Sequence, residues 1–268
     1  MEQNNERTEG IVLSPEEAEE FRAYKRRQRV EQVRQAFLKT ESEPPLPLTP
    51  KEVKSATVQA EKLHVAAIKV TPNLVSLCRG AFLVDAVVGG NGETTTKVKA
   101  YEAKNALRDG AKELTLILSH SLLESGKTGE LKREISKLVK RAKTALLKVA
   151  LPEGAPSSQI LSVATLVSEC GGKMVSVPYF AGAKDLRSEL GTKCMLEVTL
   201  VPDATAFKEL ISAGVERITT AHADEIYAAL IKEAENYPLS TEVFLAAPSS
   251  LTLKSPYAAH NLKISRVR

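Results

Sequence analysis

Residues 84 to 125, VDAVVGGNGETTTKVKAYEAKNALRDGAKELTLILSHSLLES, decide the fold. The run Val84 to Val88 is long enough for one buried strand and leads into a turn built on Gly89, Gly90 and Gly92. Thr94, Thr95 and Thr96 offer N-caps for a helix, because a threonine hydroxyl can accept an unpaired first-turn N–H. That helix is expected over about 94 to 109, with Val98, Ala103, Ala106 and Leu107 on its buried face. Gly110 stands where it must stop, since glycine enters the left-handed region without steric penalty. A second apolar strand, Leu114 to Leu118, follows at once. Strand, tight turn, helix, glycine stop and strand make a βαβ unit, and such apolar strands suit a parallel sheet covered on both faces.

The same alternation continues outward in both directions. Toward the N-terminus, Ser14-Pro15-Glu16-Glu17 is a capping box with proline at the first helical position, opening a helix to about Lys39. Glu41 to Pro50 is proline-rich and holds only a short strand around Leu46 to Leu48. Thr49-Pro50-Lys51-Glu52 repeats the capping box and opens a helix to about Lys62. Further strands are expected at 65–70, 82–88, 113–118, 145–151, 174–179, 194–201 and 216–220. Helices are expected at 73–79, 129–142, 157–170 (capped by Ser157 or Ser158), 184–190, 203–213 (capped by Asp203) and 223–236. With the 46–48 segment there are eight strand–helix pairs, the count of a closed (β/α)8 TIM barrel. An open doubly wound sheet is the weaker reading, because the glycine turn is not a GxGxxG after the first strand. The expected organisation is an N-terminal extension with a basic helix (1–40), the barrel (41–236) and an irregular C-terminal tail (237–268).

Of the 268 residues 43% are hydrophobic and 26% charged, and the net charge of +4 is mixed in sign, so composition does not point to nucleic acid. The cluster Lys25, Arg26, Arg27, Arg29 can be read as a contact for phosphates or an acidic partner, or as a solvated helix face beside Glu19, Glu20 and Glu31. Cys78, Cys170 and Cys194 lack metal-type spacing and suit reduced thiols in the cytoplasm. No apolar run approaches the roughly 20 residues that span a bilayer, and no signal-like apolar core is present, so no membrane association is expected.

Several short motifs, in order, resemble the deoxyribose-phosphate aldolase family. They are Ala66-Ala67-Ile68-Lys69-Val70-Thr71-Pro72, Val87-Val88-Gly89 with Glu93-Thr94-Thr95-Thr96-Lys97-Val98-Lys99, Ser119 to Gly126 (SHSLLESG), and Leu146-Leu147-Lys148-Val149. Gly90-Asn91-Gly92 departs from the Phe-Pro-x-Gly that the family usually carries. The resemblance implies a class I aldolase barrel with its pocket at the carboxyl ends of the strands and no cofactor. It also implies a reaction in which a lysine amine attacks an aldehyde. A free lysine of pKa about 10.4 is almost wholly protonated at pH 7, so a second lysine nearby must push that pKa down.

On the positions this resemblance assigns, the chemistry is missing. The Schiff-base lysine belongs on strand six, where Val175 stands. The second lysine belongs on strand seven, where Leu196 or Glu197 stands, and the phosphate-holding Gly-Gly turn is replaced by Thr199-Leu200. Thr115 takes the place of the proton-transferring aspartate on strand four. After strand eight the second phosphate loop reads Thr219-Thr220-Ala221-His222. Two lysines keep an enzymatic reading open: Lys148 matches a family lysine on strand five, and Lys69 on strand two points the same way. A lysine inside a barrel must be paired or lose its charge, and Glu197 is the expected mate. His120 and His222 fall on loops at the pocket mouth without a carboxylate at ligand spacing, so no metal is expected. Ser119, Ser121 and Thr220 read as loop caps.

Two functions follow as expectations. One is a pseudo-aldolase that works by binding a partner or ligand. The other is an active deoxyribose-phosphate aldolase whose Schiff base has moved to Lys69 or Lys148. Sugar-bisphosphate aldolases of the same barrel fold bind actin filaments, so filaments are a partner candidate by analogy alone. Nucleic acid and membrane are not expected as partners, and the family resemblance allows a homodimer.

Overall fold

The computed structural model describes residues 14–44 and 48–236. Eight strands pair in sequence order, all parallel, and the last returns to the first: β1 (Thr40–Ser42), β2 (Ala67–Val70), β3 (Leu83–Val88), β4 (Glu113–Ile117), β5 (Leu146–Ala150), β6 (Met174–Pro178), β7 (Met195–Thr199) and β8 (Arg217–Thr220). The helices are α1 (Pro15–Phe37), α2 (Pro50–Lys62), α3 (Thr96–Asp109), α4 (His120–Glu124), α5 (Thr128–Ala142), α6 (Ser157–Glu169), α7 (Ala183–Leu190), α8 (Ala204–Ser212) and α9 (Ala223–Asn236), with a 3₁₀ turn at Pro72–Leu77. This is a (β/α)8 TIM barrel with an extra N-terminal helix. The barrel lies in the unit Arg27–Asn236, and the described remainder, residues 14–26, belongs to a second unit. The tail expected after 236 lies outside the described residues.

The first strand sits at Thr40–Ser42, at the start of the proline-rich stretch and before its first proline, Pro44. Of the expected 46–48 strand, Leu46 and Pro47 lie outside the described residues, and Leu48 is not in a strand. The physical reason is plain: a barrel strand needs backbone donors on both sides, which TES supplies and PPLP does not. The capping boxes at Ser14 and Thr49 form as expected, with Glu17 and Glu52 each reaching back to the cap backbone at 2.8 and 2.7 Å. α6 instead follows Pro156 with no side-chain cap, and Thr95 caps α3 by position without a side-chain bond. The SHSLLESG loop contains α4, whose first turn is capped by the Ser119 hydroxyl.

α3 also turns a different face inward than its apolar residues suggest. Val98 is exposed, while Lys99 is buried beside Ala100, Ala103 and Ala106. Lys99 Nζ donates to Glu134 Oε1 of α5 and to the Ile117 carbonyl, both at 2.8 Å, so a buried ion pair clips α3 to α5. The turn before α3 needs glycine at Gly92, where φ is +91° and a Cβ would stand 2.2 Å from the Leu118 carbonyl oxygen.

The apolar core lies between the strands and the helices. Leu114, Leu116, Leu147, Val149, Val175, Val177, Leu196, Val198 and Ile218 pack against Leu131, Ile135 and Leu138 of α5, Ile160 and Val167 of α6, Phe207 of α8 and Ile226 of α9. Phe37 joins the two ends of the barrel, 5.4 Å from the Phe207 ring and edge-on to Tyr227 at 4.8 Å. In the first part of α1, Arg26 lies 3.8 Å from Glu19 and Lys25 sits over the Phe21 ring; Arg27 and Arg29 are engaged as well.

Candidate functional site

Successive residues of a strand face opposite ways, so the residues that skip the apolar layer point into the barrel. They stack as layers of four taken from alternate strands. The central layer, from β1, β3, β5 and β7, is Glu41, Asp85, Lys148 and Glu197. Toward the carboxyl ends lie Lys69, Thr115, Ser176 and Thr219; toward the amino ends lie Ala67, Glu113, Met174 and Arg217. Barrel interiors of this class are dominated by branched aliphatics. Here seven of the twelve side chains are ionisable, and all seven are buried.

Lys148 is the hub. Its Nζ lies 2.9 Å from Glu197, 3.0 Å from Asp85 and 3.2 Å from Glu113, and closer still to Glu41. Lys69 Nζ reaches Glu197 Oε2 at 3.3 Å, with Glu41 and Asp85 at 3.8 and 4.0 Å. Thr219 Oγ1 lies 3.1 Å from Glu41 and 2.9 Å from Glu197, and Thr115 Oγ1 donates to Asp85 at 2.6 Å. Below, Arg217 Nη2 donates to Glu113 Oε1 at 2.6 Å.

The charges nearly balance. Three cations (Lys69, Lys148, Arg217) face four carboxyls (Glu41, Asp85, Glu113, Glu197), which leaves one negative charge if all ionise. A buried net charge is costly, and a proton removes it. Burial raises the Glu41 pKa well above the usual carboxylate range despite Lys148 and Lys69. Glu197 is buried too, but Lys148 and Lys69 more than offset that and hold it well below the range. Of these two carboxyls, Glu41 is the one in which burial prevails and favours the protonated form. Burial alone would lower both lysines. For Lys148 the pull of Asp85, Glu197, Glu41 and Glu113 outweighs it and raises the pKa well above the ordinary value; Glu197 and Glu41 do the same for Lys69 to a smaller degree. At the mouth, Glu43 is also raised by burial, with Lys69 opposing.

No family model matches the chain. A deoxyribose-phosphate aldolase of Clostridium novyi (strain NT) is 28% identical over 209 residues, which is 70% of this chain and 93% of that protein. One from Streptococcus gordonii is 27% identical over 63% of this chain and 84% of its own length. By sequence the chain is similar to the deoxyribose-phosphate aldolases. The solved structure of an aldolase termed QR15 superposes with TM-score 0.69 at 23% identity, covering 75% of this chain and 96% of that one. The Aeropyrum pernix deoxyribose phosphate aldolase, described as tetrameric, gives 0.65 at 19% identity over 77% and 97%. At these identities the two solved structures bear on the fold.

Set against the aldolase positions, the expected site residues divide. Thr115, Glu197, Lys148, Lys69 and Thr219 do meet in the interior. Val175 and Leu196 do not: both belong to the apolar layer facing the helices, so Ser176 and Glu197 are the inward residues of β6 and β7. The correction follows from strand alternation, since a shift of one residue exchanges the two faces. Either way no lysine lies on the inward face of β6 or β7. The Thr220 hydroxyl is spent inside the protein, donating to the Val201 carbonyl at 2.8 Å and accepting from the His222 amide. Thr199 Oγ1 lies 3.5 Å from the Val177 carbonyl. Leu200 is 58% exposed with φ +56°, a left-handed position that favours glycine. His120 and His222 are exposed, and among the described residues no group of His, Cys, Asp and Glu is placed to hold a metal.

Glu41, Asp85, Glu113 and Arg217 are the interior residues the sequence reading missed. Three carried a signal: a single charge at an alternating position within an apolar strand, as in VDAVV, ELTLI and RITT. Glu41 was hidden by placing the first strand too late. No helix among the described residues is long and apolar enough to cross a membrane.

Proposed function

We propose that this aldolase-like chain no longer performs the Schiff-base reaction and acts by binding. The observation that carries the reading is the crowd of carboxyl groups within 4.0 Å of the interior amines. A Schiff base begins with a neutral amine, and catalytic lysines obtain it from a neighbouring cation or from burial without a counter-charge. Lys69 and Lys148 have the opposite surroundings: carboxylates crowd them and hold them protonated. The inward positions of β6 and β7 hold Met174, Ser176 and Glu197, none of which can form an imine. Leu200 stands in a glycine-type conformation after β7, which leaves no Gly-Gly turn for a phosphate.

The test is borohydride trapping with deoxyribose 5-phosphate, read by intact mass beside the Clostridium novyi aldolase. The expected result is an unmodified chain and a labelled control. An adduct at Lys69 or Lys148, with cleavage activity, would overturn the proposal and establish a relocated Schiff base. A filament partner rests on fold analogy alone. The basic cluster at Lys25–Arg29 is engaged within the protein.

A further inference from the structure

The outer face of α5 concentrates positive charge that nothing among the described residues balances. The helix spends Leu131, Ile135, Leu138 and Ala142 on the core. Its acids are used as well: Glu134 is buried against Lys99, and Glu130 lies 3.7 Å from Lys127. Lys132 pairs with Glu169 of α6 at 2.7 Å. Arg133, Lys137, Lys140 and Arg141 are exposed and have no ion-pair partner among the described residues. The cations of α7 and α8 are matched across neighbours, as in Lys184–Glu209, Lys208–Glu233 and Arg187–Glu216. Lys132, Arg133, Lys137 and Lys140, with Gly129 and Ser136, line a shallow groove of about 400 Å³.

We propose that this groove docks an extended acidic segment of a partner protein. Charge complementarity sets the sign. The lining sets the class, because it holds no aromatic side chain for a nucleic-acid base to stack on and no apolar side chain to enter a lipid surface. The spacing also fits. Arg133, Lys137 and Lys140 recur every three or four residues, about 4.5–6 Å along the helix axis. Alternate side chains of an extended peptide recur on one side about every 6.6 Å, so successive carboxylates can meet successive cations. Lys140 and Arg141 also suit the negative end of the helix dipole, but that explanation does not reach Arg133 and Lys137. The surface is separate from the barrel interior, so the proposal stands or falls independently of the aldolase reaction.

The experiment is fluorescence anisotropy of a labelled peptide alternating Glu and Gly, with the full chain, at low and physiological salt. Binding should weaken as salt rises. The double substitution Arg133→Glu with Lys137→Glu should weaken it about tenfold or more, while Lys25→Glu with Arg26→Glu on α1 leaves it unchanged. Arg133, Lys137 and Arg26 are exposed and Lys25 is half-buried, and unchanged circular dichroism verifies folding of both variants. Undiminished peptide binding by the α5 variant would overturn the proposal. So would tighter binding of oligouridylate or of phosphatidylserine vesicles that the same α5 substitutions abolish, since the groove would then belong to a different partner class.

Discussion

The two faces of the same strands obey different physics. In β5, LLKVA, the outward Leu147 and Val149 lie in the apolar layer under the helices, while the inward Lys148 is the centre of an ionic cluster. In β7, MLEVT, Leu196 and Val198 face out and Glu197 faces in. The outer layer is additive and non-directional, so any well-filled set of aliphatics serves it. The inner layer is a mutual arrangement in which each charge exists because of its neighbours. The lesson is that the outer faces of a barrel can hold the fold while the inner faces are free to carry a different arrangement of charges.

Removing the hub should break this contrast most strongly. Lys148→Met leaves four carboxyls around an uncharged side chain, and the expected loss is about 3–5 kcal/mol in urea unfolding, or outright failure to fold. A loss below about 1 kcal/mol would mean the cluster is not a mutual arrangement. On the outer face, Leu196→Ala should cost about 2–4 kcal/mol through the cavity it opens, with the same value at every pH tested. A cost that changed with pH would show that the two layers are coupled.

Glu41→Gln sharpens the comparison, because the amide resembles the protonated acid. It should cost about 1 kcal/mol or less, far below Lys148→Met. The pH dependence carries a sign. The folded Glu41 pKa is raised, so its contribution is fully present below the unfolded pKa near 4.5 and is lost as pH rises through the folded value. Within that window the wild type should lose stability relative to the glutamine variant by up to about 1.4 kcal/mol per pH unit. Parallel stability–pH curves for the two proteins would place the proton elsewhere. The smallest effect is expected at the mouth: Leu200→Gly relieves a left-handed leucine and should add about 1 kcal/mol or less, measured by the same unfolding assay. A clear loss would show that the Leu200 side chain is held by contacts of its own.

Much of this was legible in the chain. The Val84–Ser125 unit, the capping boxes at Ser14 and Thr49, the Asp203 cap and the run from Ala223 to Asn236 are local signals, and local sequence decides them. The pairing of Lys69 and Lys148 with Glu197 was also readable, because a lysine inside a barrel needs a counter-charge. The position of β1, the inward turn of Lys99 in place of Val98, and the outward turn of Val175 were not. Each depends on which face meets the rest of the barrel, and period-two or helical spacing is blind to a shift of one residue.

By itself the sequence determined eight strand–helix repeats and the likeness to deoxyribose-phosphate aldolases. Only the closed barrel decided that four acids and three bases from all but one of its strands share one buried interior, and hence that carboxyls raise the pKa of both amines while burial raises that of Glu41. The reason is that a pKa is set by charges within a few ångströms. Here Lys148 donates a hydrogen bond to Glu41 although 107 residues of chain separate them.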